Sequence, residues 1–63
     1  MESGIFYVVG EDIEGDIIEF DFEGDINSCV SKCEEVLTSV NGGHLDIFIV
    51  EDDHDVFIRD VEV

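Results

Sequence analysis

Carboxylates are the residues of this chain whose number and spacing could do chemistry. Glu19, Asp21 and Glu23 alternate along one stretch, and Asp60 and Glu62 along another near the end. Glu11, Asp12, Glu14 and Asp16 crowd one short segment, and Glu51, Asp52, Asp53 and Asp55 a second. Three chemistries are open to such a set: proton transfer, cation binding and the pairing of a basic surface. Acid–base catalysis needs carboxylates set apart from their fellows and tuned inside a concave site. With eighteen acids in 63 residues no pair stands out, and the chain leaves little room for a pocket. Nucleophilic catalysis needs a base beside an activated nucleophile. Cys29 and Cys33 fall on an apolar stripe away from both histidines, and Ser3, Ser28, Ser31 and Ser39 have no motif around them. Gly4, Gly10, Gly42 and Gly43 lack the strand–loop–helix setting and the lysine of a phosphate loop. An enzyme is not expected, nor a cofactor.

Cation binding is the second option. Glu51 to Asp55 offers oxygens to Ca²⁺ or Mg²⁺, and so does Glu11 to Asp16. Neither segment follows the EF-hand loop, which alternates ligands, turns at a glycine and closes on a glutamate. After Asp52 the alternate positions hold His54 and Val56. His44 and His54 have no cysteine pair to complete a zinc set. Weak, opportunistic cation binding is expected of so acidic a surface; a dedicated metal site is not.

The pairing of a basic surface accounts for more. Lys32 and Arg59 are the sole bases against eighteen acids, for a formal charge of −16. Self-repulsion on this scale destabilises a compact state, and lysine would protect a strand edge as well as glutamate does. Acids of this density often mark disorder, but disordered chains are poor in aromatic and β-branched residues. Here 44% of residues are hydrophobic, with five phenylalanines, so a core is available. Only Glu34 and Glu35 fall within the helical segment, whose outer face is otherwise Asn27, Ser28, Ser31, Lys32, Thr38 and Ser39. The charge is gathered elsewhere, on strands and turns. Alternate residues of a strand lie ~6.6 Å apart, and successive phosphates of one DNA strand about 7 Å apart along the backbone. Glu19, Asp21 and Glu23 therefore repeat carboxylates near the phosphate interval.

The elements that must hold these acids follow from periodicity. Gly4 to Gly10 (GIFYVVG) is an apolar strand and Glu11 to Gly15 a turn. From Asp16 to Glu23 the alternation is strict, with Ile18, Phe20 and Phe22 on one side and the acids on the other. Ile26, Cys29, Val30, Cys33, Val36, Leu37 and Val40 recur at three and four, predicting an amphipathic helix capped by Asp25 and stopped at Asn41-Gly42-Gly43. Leu45 to Val50 and Val56 to Val63 are two further strands around a turn at Glu51 to His54. The fold expected is a single α+β domain over residues 1–63, ββαββ: a four-stranded antiparallel sheet with one helix on one face. The first and third strands are the most apolar and belong inside, which gives the order 2-1-3-4 and puts the two acidic turns at opposite ends.

The Glu19/Asp21/Glu23 ladder, the Glu11–Asp16 and Glu51–Asp55 clusters and the Asp60/Glu62 pair together resemble the small acidic DNA-mimic proteins, many of them phage-encoded. The resemblance covers the whole chain in size and charge pattern rather than in a sequence motif, and those proteins share no one fold. It implies the same strategy: occupying the DNA-binding surface of a basic protein, such as an HU-type nucleoid protein, a restriction or repair enzyme, a CRISPR effector or RNA polymerase. It also implies no direct binding of nucleic acid. The alternatives are an acidic adaptor or anti-activator that meets a basic patch unrelated to DNA, and a weak Ca²⁺-binding module. The opening residues carry neither a basic region nor a long apolar run, so no leader or membrane span is expected and the compartment should be cytosolic. Two cysteines on one helix face are expected to be free, buried thiols. With one helix to cover one sheet face, Phe48 and Val50 should point the other way, joined by either Phe6/Val8 or Ile5/Tyr7/Val9. Such a strip commonly marks self-association, and a homodimer through it is expected.

Overall fold

A computed structural model describes residues 4–63; Met1–Ser3, the start of the segment expected to hold no leader, lie outside the described residues. The chain runs β1 (Gly4–Asp12), β2 (Ile17–Gly24), α1 (Ile26–Ser39), β3 (Gly43–Glu51) and β4 (His54–Glu62). The sheet is antiparallel throughout in the order β2-β1-β3-β4, as the sequence predicts. Strands outrun their expected limits where the composition looks turn-like. Glu11 and Asp12 pair with His44 and Gly43, so β1 continues two residues past Gly10. Backbone ladder bonds, which are indifferent to side-chain charge, decide the boundary.

The β1–β2 turn is built by Asp12. Its Oδ1 accepts from the Glu14 and Asp16 amides at 2.9 and 3.0 Å, and Gly15 takes φ +86°. Asp25 caps α1 as expected, accepting from the Ser28 amide at 2.7 Å. That bond holds its carboxyl below the usual range, helped by the Ser28 hydroxyl and opposed by desolvation. At the other end the left-handed residue is Asn41 (φ +69°), followed by Gly42 (φ +114°). The Gly42 amide donates to the Leu37 carbonyl at 2.8 Å and the Asn41 amide to that of Thr38 at 3.2 Å, a Schellman closure. Asparagine thus fills the position expected of glycine. Gly10 serves packing instead: a Cβ there would strike the His44 carbonyl of β3.

Helix α1 lies on one sheet face only. Phe6, Val8, Cys29, Cys33, Leu37, Leu45, Ile47 and Val61 form the core, flanked by Ile18, Phe20, Phe22, Ile26, Val30, Val36 and Ile49. Both cysteines are free and buried, and burial pushes their thiols up, that of Cys33 to about 12. Both pack as members of the core. Strand β4 carries a bulge. Phe57 faces Phe48 and Arg59 faces Ile47, leaving Ile58 without a partner. The extra residue resets the alternation, so Phe57 points away from the helix while Val61 points into the core. Among the described residues no helix is long and apolar enough to cross a membrane.

Candidate functional site

Among the described residues none of the buried side chains is polar or charged, so the groups capable of chemistry lie at the surface. Cross-strand pairing fixes which of them share the uncovered face. Asp21, Tyr7, Phe48 and Phe57 form one row across the four strands. Glu19, Val9, Asp46 and Asp60 form the next, and Ile17, Glu11, His44 and Glu62 the one beyond. On the other side Glu23 stands opposite Ile5, and Asp55 opposite Val50. The face therefore carries an apolar strip of Ile5, Tyr7, Phe48, Val50 and Phe57 toward one end, with Asp46, Glu11 and His44 on its central strands toward the other and acidic margins along both edges. Glu19, Asp21 and Glu23 line the β2 margin; Asp55, Asp60 and Glu62 line that of β4.

The strip is continuous. Tyr7 and Phe48 have ring centroids 6.3 Å apart, and Phe48 and Phe57 meet edge to face at 5.6 Å, a favoured aromatic geometry. Tyr7 joins strip to margin by donating its hydroxyl to Glu19 Oε2 at 2.6 Å. That hydrogen bond is the main cause of a phenol pKa raised above its ordinary value; desolvation and the charges of Glu19, Asp21 and Asp55 add to it. Carboxylates from both margins thus act on one side chain near the middle of the sheet.

The remaining predicted acids lie away from this face or at its ends. Asp12, Glu14 and Asp16 gather at the β1–β2 turn, their ligand oxygens within 4.8 Å of one another. Asp12 is already engaged in shaping the turn. Exposed acids often converge in this way, and nothing further marks a cation site. Glu51, Asp52 and Asp53 sit at the β3–β4 turn, at the opposite end of the sheet, all exposed. The acids expected to act together are thus spread over one face and two ends rather than one continuous patch.

Phe48 and Val50 occupy the uncovered face as expected, and the set that joins them is Ile5/Tyr7/Val9, because Phe6 and Val8 are core. Asp46, Phe57, Ile17 and His44 join the face as well. Asp46 alternates with Leu45 and Ile47 and was readable as facing outward; Phe57 was not, because the bulge sets its side. The cations are elsewhere. Lys32 pairs with Glu35 at 3.6 Å on the helix. Arg59 lies opposite Ile47 on the helix side of β4, its Nε donating to the Asp60 carbonyl. Comparison with protein-family models, curated proteins and solved structures gives no match.

Proposed function

We propose that this protein binds a basic nucleic-acid-binding protein and competes with nucleic acid for it, presenting carboxylates where phosphates would lie. The observation that carries this reading is the β2 margin. Glu19, Asp21 and Glu23 stand exposed on one side of an edge strand, held in register by pairing with Val9, Tyr7 and Ile5. A β-strand spaces them ~6.6 Å apart, and a paired strand fixes that interval where a disordered acidic tail does not. The acidic turns at either end of the sheet extend the field beyond the ladder and steer a cationic partner toward it. Nucleic acid itself is repelled by the same field. An HU-type nucleoid protein is one partner of the required chemistry, and other basic nucleic-acid enzymes fit equally.

The test is displacement. The protein is tagged, its basic partner recovered from a bacterial lysate and identified by mass spectrometry, and labelled duplex DNA is bound to that partner. Titration with the acidic protein should release the DNA. A ternary complex that keeps the DNA would instead favour an adaptor that meets a basic patch outside the nucleic-acid site.

A further inference from the structure

We infer that the partner's contact segment is an amphipathic basic helix lying across the uncovered sheet face, its apolar stripe on the Tyr7, Phe48 and Phe57 row and its lysines or arginines on the acids to either side of that row. This rests on the proposal that the partner is basic and narrows what its contact surface must be. A phosphate mimic needs charge alone, yet this face carries an apolar strip whose outer members are open: Ile5 is 51% exposed, Val50 42% and Phe57 55%. Water-exposed strips of this kind mark docking surfaces.

Charge decides what docks there. A second copy placed face to face would bring Glu19, Asp21, Glu23, Asp46, Asp55, Asp60 and Glu62 of each chain into one drying contact. Neither of the two bases lies on this face to offset them. Like charges in a desolvated contact oppose association by several-fold factors each, so the face disfavours itself. A basic partner meets no such barrier.

Size agrees with a helix. Along the strands, ~6.6 Å to either side, the Tyr7–Phe48–Phe57 row is flanked by Glu19, Asp46 and Asp60 and by Glu23 and Asp55, which puts the two sets about 13 Å apart. A helix with its side chains is about 10–12 Å across, which seats it between the two sets of acids with its axis across the strands. Lysine and arginine bury their aliphatic stems on apolar surface while their heads reach outward. On this face they reach carboxylates on both sides. Tyr7, anchored through its hydroxyl to Glu19, presents a fixed ring to the stripe.

The test uses two synthetic helical peptides of equal charge, about 18 residues or ~27 Å long. One has leucines at helical spacing flanked on both sides by lysines; in the other the leucines are glutamines. Binding is followed by fluorescence anisotropy at about 0.1 and about 0.5 M salt, where charge contacts are progressively screened. The leucine peptide should bind at least about tenfold tighter than the glutamine peptide at high salt. Phe57→Ser should remove that advantage and leave the glutamine peptide unaffected, with circular dichroism confirming the fold. Equal affinity of the two peptides, or no effect of Phe57→Ser, would overturn the inference. So would a wild-type mass of twice 7.1 kDa in sedimentation that Phe57→Ser halves, because a second copy would then own the face. Failure here is separable from failure of the proposed function. DNA displacement undiminished by Phe57→Ser rejects the helix and keeps the competition, whereas helix binding without DNA displacement does the reverse.

Discussion

Neutralising part of the β2 ladder should weaken partner binding more than neutralising the same number of charges on the helix. The perturbation is Asp21→Asn with Glu23→Gln, compared with Glu34→Gln with Glu35→Gln. Each pair removes two of eighteen acids, so long-range attraction falls equally. All four side chains are exposed, and the amides keep their volume. Asp21 stands opposite Tyr7 and Glu23 opposite Ile5, at the margin of the apolar strip, where an incoming partner excludes water. A well-placed charge-assisted hydrogen bond contributes roughly 1.5–3 kcal/mol. Two such contacts, discounted by about half for exposure and non-additivity, leave about 1.5–3 kcal/mol. The ladder variant should therefore bind about ten- to a hundredfold more weakly. The helix variant should lose only the shared steering, a few-fold at low salt and less as salt rises. Isothermal titration of the partner with each variant, at two ionic strengths, reads the difference. Equal losses in the two variants would mean that bulk charge rather than a registered ladder does the binding.

Three further outcomes follow from the geometry. Gly10→Ala should destabilise the domain by at least about 1–3 kcal/mol, seen as a lower urea midpoint, because its Cβ must displace the backbone of β3 at His44. Asp25→Ala should lower the thermal midpoint, and the gap from wild type should depend on pH. The Asp25 carboxyl is depressed in the folded state, so its contribution is present above its unfolded value of 3.8 and lost as pH falls through the lower folded value; the two midpoints should converge in strong acid. Tyr7 should ionise above its ordinary value in an ultraviolet pH titration, and Glu19→Gln should bring that titration down, because the accepting carboxylate and its charge are then gone.

Periodicity made most of the fold legible. The three-and-four spacing from Ile26 to Val40 gave the helix, the strict alternation from Asp16 to Glu23 gave an edge strand, and relative apolarity placed β1 and β3 inside. What escaped has local physical causes. Acidic side chains disguised the end of β1, which ladder bonds with β3 extend to Asp12. The helix stop belongs to Asn41, whose short amide side chain tolerates the left-handed region that glycine was expected to supply. The bulge at Ile58 has no sequence signature, and without it Phe57 and Val61 would share a side. For the site, alternation placed Glu19, Asp21 and Glu23 on a wet face. It did not join them to Tyr7 and Phe57, because that needs the cross-strand register. A strip of Phe48 and Val50 with either neighbouring set suggests a homodimer; the cross-strand register adds the flanking acids on which the proposal of a basic partner rests.

The central claim is competition with nucleic acid, and displacement of labelled duplex DNA from the purified basic partner tests it most directly. Added acidic protein should lower the DNA-bound fraction to zero at saturation, with potency falling as salt rises. A partner that binds the acidic protein while its affinity for DNA stays unchanged would contradict the claim.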